Sequence, residues 1–310
     1  MTRREKPRPS QRADLLLVDR GLAPTREKAQ ALILAGRVRA AGCRVDKAGA
    51  RLASDALLEV EPGPRFVGRG GEKLWGALEA LRLDVTGLAV LDVGASTGGF
   101  TDALLKRGAA RVIALDVGRG QLDWSLRKDP RVVPVEGVNV RYLAPDDLPG
   151  PFPLVVVDVS FISLRLVLPP LGPLLGRGPV APAGPPEGGA APLPAILALV
   201  KPQFEVGPAR VGKGGIVRDA SAQLDAVLDI ARFAASPEPA ALLEPSDATA
   251  SRALLGTVPL GLWRIVESPL RGAEGNREFF VHLVPGYDRS WREIEEEART
   301  IVSGPDGAGR

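Results

Sequence analysis

Two carboxylates, Asp92 and Asp116, bracket a glycine-rich turn in this 310-residue chain. Asp92 lies near the end of the apolar run 88–93, and Gly94-Ala-Ser96-Thr97-Gly98-Gly99 follows. Phe100 then opens a helical stretch, and Asp116 closes a second apolar run. Strand, glycine turn, helix, strand and acid make the first half of a nucleotide-binding βαβ unit, where only glycine lets the backbone approach a ligand closely. A dinucleotide pyrophosphate asks for G-x-G-x-x-G, and this loop does not have that spacing. S-adenosylmethionine (SAM) carries no phosphate. Its ammonium favours a nearby carboxylate such as Asp92, and its ribose diol suits an acid at the second strand's end, here Asp116. Gly94, Ser96, Thr97, Gly98, Gly99, Phe100 and Asn139, which follows a third apolar run, complete the expected cofactor set. A generic α/β turn is the plainer alternative.

Outside the loop, Lys73, Asp158, Lys201 and Glu278 are placed for chemistry. Asp158 and Lys201 close the fourth and fifth predicted strands, the carboxyl edge where open α/β sheets bind ligands. Lys73 lies in GRGGEKL, whose glycines allow close backbone approach, and Glu278 opens the last apolar run. Each residue alone reads as half of a salt bridge. Their joint placement at one sheet edge favours a catalytic set.

The elements that must position these groups follow from periodicity. EKLWGALEALRLDV reads as an amphipathic helix leading into the first strand. RVVPVEGVNV, LVVVDVS and AILALVKPQFE read as further strands, ISLRLVLPPLGPLL as a proline-limited helix and DASAQLDAVLDIARFAA as a helix capped by Asp219 or Ser221. LWRIVESPL and EFFVHLV could form a closing antiparallel hairpin, and the segment 287–310 reads as a C-terminal tail with a short surface helix. Two Pro/Gly/Ala-rich stretches, 176–194 and about 236–257, read as insertions. The expected fold class is α/β, a Rossmann-like sheet with helices on both faces and a SAM-type loop, preceded by a small α+β domain; that the sheet is a SAM-dependent methyltransferase and the small domain RNA-binding is what family resemblance implies. Gly207-PARV-Gly212-Lys213 imitates a phosphate-binding loop, but Gly214 stands where the mechanics require a hydroxyl, and no strand runs directly into it.

Composition narrows the class. One cysteine, Cys43, excludes an intramolecular disulfide, and one histidine, His282, in an alternating run, gives poor support to zinc or a Ser-His-Asp triad; no metal is expected. No apolar run reaches membrane-spanning length, and the basic start MTRREKPRPSQR has no apolar segment behind it. A cytoplasmic protein without a membrane partner is therefore expected. Residues 1–73 hold 16 Lys/Arg against 9 Asp/Glu, a net of +7, whereas the remainder carries 24 against 28, a net of −4. That split points to a polyanion-binding module joined to a separate body. The expected organisation is a basic disordered extension (1–11), an RNA-binding domain (12–60), a Pro/Gly hinge (61–71), the catalytic domain (72–286) and the tail. The oligomeric state is left open, with a monomer the simplest assembly.

Within 12–60, Arg12-Ala-Asp14, Gly21-Leu22, Thr25-Arg26, Ala29, Leu32-Ile33, Gly36 and Val38 fall on two helices and a strand. This pattern resembles the αL-motif RNA-binding domain of ribosomal protein S-four. The resemblance implies binding of structured RNA, with Arg12, Arg26, Lys28, Arg37, Arg39, Arg44 and Lys47 as candidate phosphate contacts. The Lys73-Asp158-Lys201-Glu278 order resembles the tetrad of FtsJ-like ribose 2′-O-methyltransferases. GRGGEKL, LDVGASTGGFTDALLKRGA, DVSFISL, LVKPQFE, GIVRD and SPLRGAEGNREF together resemble the TlyA (hemolysin A-like) family over residues 12–285. That resemblance implies SAM-dependent 2′-O-methylation of cytidine in ribosomal RNA, with ribosomal RNA or subunits as partner. A ribose hydroxyl is a weak acid, so a base must take its proton as the oxygen attacks. Lys201 is the expected base, Lys73 the neighbouring like charge, Asp158 the residue that orients Lys201, and Glu278 the group holding a lysine or the ribose. A non-catalytic RNA-binding or ribosome-assembly factor and a membrane-lytic hemolysin are the alternatives.

Overall fold

In the computed structural model, which describes residues 9–176, 191, 193–236 and 259–304, glycines end the first two helices where the sequence places them. The chain divides into two units, Met1–Arg65 and Phe66–Arg310. In the first, strand β1 (Ser10–Arg12) runs into helix α1 (Ala13–Asp19), and α2 (Arg26–Leu34) follows. The Thr25 side chain caps α2 by accepting from Lys28 N at 3.2 Å. Then come β2 (Val38–Ala40), β3 (Cys43–Arg44), β4 (Arg51–Ala53) and β5 (Leu58–Val60). Strands β3-β2-β5 form an antiparallel sheet, while β1 pairs with β4. The β1–β4 pair is not anticipated, because three-residue strands are too short to show alternation. Leu17, Ala29, Ile33 and Val38 fill the unit's core.

The second unit begins with α3 (Gly70–Leu81), β6 (Ala89–Val93), α4 (Gly99–Lys106), β7 (Arg111–Asp116), α5 (Trp124–Arg127), β8 (Val132–Glu136) and β9 (Leu154–Val157). It continues with α6 (Leu168–Leu171), β10 (Ala195–Val200), α7 (Pro202–Glu205), α8 (Ala220–Ala235), β11 (Leu260–Glu267), β12 (Phe279–Pro285) and α9 (Trp291–Ser303). The seven strands lie in the order β11-β12-β10-β9-β6-β7-β8; β6 to β10 run parallel, and β12 runs antiparallel to both neighbours. β9 and β10 are buried throughout, as expected of strands covered on both faces. Alternate residues serve opposite cores: Val155 and Val157 face one, Leu154 and Val156 the other. The chain moves outward from β6 through β7 to β8, then returns to place β9 on the other side of β6. The crevice at the carboxyl ends of β6 and β9 is therefore the topological switch point.

Three readings change. The hinge expected to reach Gly71 ends earlier, because Phe66 is 3% exposed in the core and Val67 N donates to Asp102 Oδ2 at 3.0 Å. The proline-limited helix breaks into α6 between two 3-10 turns, 164–166 and 172–174, as adjacent prolines remove the donors a longer helix needs. The C-terminal tail is a packed element: Ile294, Ala298 and Val302 of α9 are buried in the core that holds α8 and β11. Nearly all of the two insertions and of the N-terminal extension, with the last six residues, lie outside the described residues.

Candidate active site

The glycine loop turns sharply between β6 and α4 because four of its backbone positions are left-handed or tightly packed. Gly94 (φ +85°) leaves no room for a side chain, since a Cβ there would lie 2.4 Å from Asp158 O. Ser96 also has positive φ, held by its N–H donating to Asp116 Oδ2 at 2.7 Å. Gly98 (φ +96°) faces Leu122 and Leu126, and a Cβ on Gly99 would sit 2.9 Å from Gly71 N. The glycines of GRGGEKL thus let the start of α3 touch the start of α4, which sets where Lys73 stands.

Two adjoining clefts open at this edge. One, of about 500 Å3, is lined by Gly94, Ser96, Asp116, Asn139, Asp158 and Phe161 among others. The second, of about 180 Å3, is lined by Gly70, Thr97, Gly99, Phe100 and Lys201, with Gly94, Ser96, Asp158 and Ser160 shared. The larger volume falls within the range of about 300–1,000 Å3 typical of small-molecule sites. Asp116 stands in its wall with Oδ1 accepting from Gly118 N at 2.7 Å, and Asn139 Oδ1 accepts from Arg141 N at 3.1 Å.

Asp92 is placed differently from the sequence expectation. It lines neither cleft and is fully buried beneath the loop, where its Oδ2 accepts from Thr101 Oγ1 at 2.6 Å. Its Oδ1 has no hydrogen-bond partner among the described residues. Burial pushes Asp92 up to about 7, opposed by the Thr101 hydrogen bond and reinforced by the charge of Asp158. Below about pH 4 both folded and unfolded chains hold this proton. Between pH 4 and 7 only the unfolded chain releases it, so the fold loses stability as pH rises, and above pH 7 the loss levels off. Asp92→Asn removes that term. Its advantage in Tm over the wild type should grow from pH 4 to pH 7 and then flatten; thermal melts showing a constant difference would refute this.

Sheet register brings the four polar residues to one sheet edge as two separate ion pairs. Val200 pairs with Phe279 in the antiparallel β10–β12 ladder, so Lys201 and Glu278 follow opposite each other at its open end. Asp158 leaves β9 next door, its N–H bonded to Val93 O at 2.9 Å. Lys201 Nζ lies 2.6 Å from Asp158 Oδ1 and donates to Ser160 Oγ at 2.8 Å. Lys73 Nζ lies 2.6 Å from Glu278 Oε2. Both lysines are 8% exposed and Glu278 is 2% exposed. Ion pairs this buried are costly to break, because removing one partner strands the other charge away from water. Gly272 makes room for Glu278, since a Cβ there would lie 2.5 Å from Oε1. Asn276 bonds Val217 N and Gly215 O at 2.8 Å each and so ties the Glu278 loop to the GKGGIVRD segment. The decoy phosphate motif holds a 3-10 turn over Pro208–Arg210 and leads into that segment, with an isolated bridge between Gly212 and Ile216 and no α-helix until Ala220.

A model of FtsJ-like methyltransferases matches residues 66–237, and a model of the S4 domain matches residues 11–57. The 16S/23S rRNA (cytidine-2′-O)-methyltransferase TlyA of Mycobacterium tuberculosis is 42% identical, covering 95% of this chain and 98% of that one. The chain belongs to the TlyA family. Hemolysin A of Brachyspira hyodysenteriae, also similar, is 34% identical over 88% of this chain and 99% of its own. A structure from Streptococcus thermophilus that carries the hemolysin name is 34% identical, with a TM-score of 0.63 over 96% of both chains. As a TlyA-family methyltransferase the protein takes SAM as its methyl donor. The larger cleft fits that group: apolar Leu115, Val138, Val140 and Ile162 can receive a nucleobase, and the Asp116 carboxylate can accept from a ribose diol.

In the S4 unit, the expected RNA contacts separate into two kinds. Asp14 is buried and binds Arg12 and Arg26 at 2.9 Å each, and the Arg12 hydrogen bond, opposed by burial, holds its carboxyl well below the usual range. Arg37 donates to Glu61 O, Arg39 pairs with Glu61 and Arg44 with Asp46. Lys28 and Lys47 have no ion pair among the described residues. Ser160, which lines both clefts, is absent from the sequence-based set, and its only signal in the sequence is its position inside DVSFISL.

Proposed function

We propose that the protein transfers a methyl group from SAM to the ribose 2′-hydroxyl of a cytidine in ribosomal RNA, with Lys201 as general base. The observation that carries this reading is the buried Lys201 amine, fixed by Asp158 and Ser160 where the two clefts meet. SAM supplies a methyl group on a positive sulfur, which departs as a neutral thioether when the ribose oxygen attacks. Lys201 Nζ, in its neutral form, takes the hydroxyl proton as the new O–C bond forms. Asp158 holds Lys201 from the cofactor side. Glu278 holds Lys73, the second lysine of the set, in a buried ion pair at the same sheet edge. Asp116, Ser96, Asn139 and the glycines hold the cofactor. The S4 unit docks the RNA through phosphates, and Lys28 and Lys47, which have no ion pair among the described residues, are the cations best able to meet them. Among the described residues no helix is long and apolar enough to cross a membrane, and nothing in the site favours a lytic activity.

The test is methyl transfer to purified ribosomal subunits followed by mapping of 2′-O-methylated nucleotides. The wild type should modify cytidine and the Lys28→Ala/Lys47→Ala variant should do so less well. That variant should bind SAM normally and flatten the salt dependence of RNA binding by about two units of slope, about one per lost phosphate contact. No methylated cytidine, with free RNA or with particles, would overturn the proposal.

A further inference from the structure

Lys201 has two polar partners, Asp158 of the expected set and Ser160, to which the sequence assigns no role. A neutral amine at Nζ offers two N–H donors and one lone pair in a tetrahedral arrangement about the Cε–Nζ bond. Nζ donates to Ser160 Oγ at 2.8 Å, whereas Asp158 Oδ1, 2.6 Å away, is an ion-pair partner that makes no hydrogen bond among the described residues. The one directional bond, to Ser160, opposes rotation about Cε–Nζ and so restricts where the lone pair can point. With Asp158 alone the amine can turn, and a base acts only on a proton it faces.

The loop that carries Ser160 is itself fixed to the segment that carries Lys201. Glu205, four residues after the lysine, accepts from Ser163 Oγ at 2.6 Å and from Leu164 N at 2.9 Å. Phe204 packs its ring 5.3 Å from that of Phe161, a residue held at φ +63°. Upstream, Asp158 N is bonded to Val93 O at 2.9 Å. Residues 158–164 are therefore anchored at both ends, and the Ser160 hydroxyl between them cannot drift relative to Nζ. Ser160 is exposed and lines both clefts, so it carries little of the fold and stands beside the reacting groups.

We infer that Ser160 is a positioning residue that aims the Lys201 lone pair at the substrate hydroxyl. This rests on the reading of Lys201 as the base. The test compares Ser160→Ala, Ser160→Thr, Lys201→Ala and the Ser160→Ala/Lys201→Ala double variant for kcat, KM for ribosomal RNA and SAM affinity. Ser160→Ala should lower kcat about tenfold, with KM and SAM affinity within about twofold of wild type. Ser160→Thr, which keeps the oxygen, should recover most of the rate. In the double variant the serine change should add nothing, since no amine remains to aim. A kcat for Ser160→Ala within twofold of wild type, while Lys201→Ala is inactive, overturns the positioning role and leaves the base intact. An equal loss in Ser160→Ala and Ser160→Thr, or a loss confined to KM or SAM affinity, overturns it too. An active Lys201→Ala variant overturns the base assignment and this inference with it.

Discussion

Lys201→Ala is expected to lower kcat for methyl transfer by about 10²-fold or more while SAM and RNA still bind. The reason is that a general base acts only in the transition state, so its loss appears in kcat and leaves ground-state affinities almost untouched. The variant also strands a carboxylate: Asp158 loses the amine 2.6 Å away. Asp158 lines both clefts, so water can reach it, and the fold should survive the change. Single-turnover rates with saturating SAM and ribosomal subunits, beside calorimetric SAM affinity, separate these effects. Activity within a few-fold of wild type would remove Lys201 from the base role.

Gly94→Val is expected to abolish detectable SAM binding in a chain that still folds. Two causes act at one position. The backbone there has φ +85°, where a β-branched residue is strongly disfavoured, and a Cβ would lie 2.4 Å from the backbone oxygen of Asp158. Relief requires the loop or the β9 end to move, and either motion disturbs a wall shared by both clefts. The sheet itself is secured elsewhere, by β9 and β10 strands buried throughout. Circular dichroism should be unchanged while calorimetry shows no SAM binding. Wild-type affinity in this variant would show that the cofactor is held elsewhere.

Much of the site was legible before folding because its signals are local. Glycines at 94, 98 and 99 after an apolar run, and acids at strand ends, are determined by spacing along the chain, and helix stops at Gly21 and Gly36 follow from backbone sterics. The apolar runs at 89–93, 111–116 and 195–200 became the predicted strands. Local pattern failed where the answer depended on partners. Asp92 sits two residues before Gly94, a position that suggests contact with a ligand, yet the side-chain alternation of β6 sends it under the loop to Thr101. Arg12 and Arg26 looked like free cations until the fold set both on buried Asp14. The tail became a core element because Ile294, Ala298 and Val302 find α8 and β11, which lie far away in sequence.

The sequence by itself determined the element order, the glycine loop, the basic N-terminal unit and the residue types able to do acid–base chemistry. It could not say which lysine meets which carboxylate. Lys73 is 205 residues from Glu278, and Lys201 is 41 residues from Ser160; no local rule joins such positions. The antiparallel register of β10 and β12, the return of β9 to the side of β6, and the glycine contact between α3 and α4 made those pairings. Each is a property of packed strands and helices, set by which apolar faces bury together, and a charge takes its partner only after that burial has fixed its place.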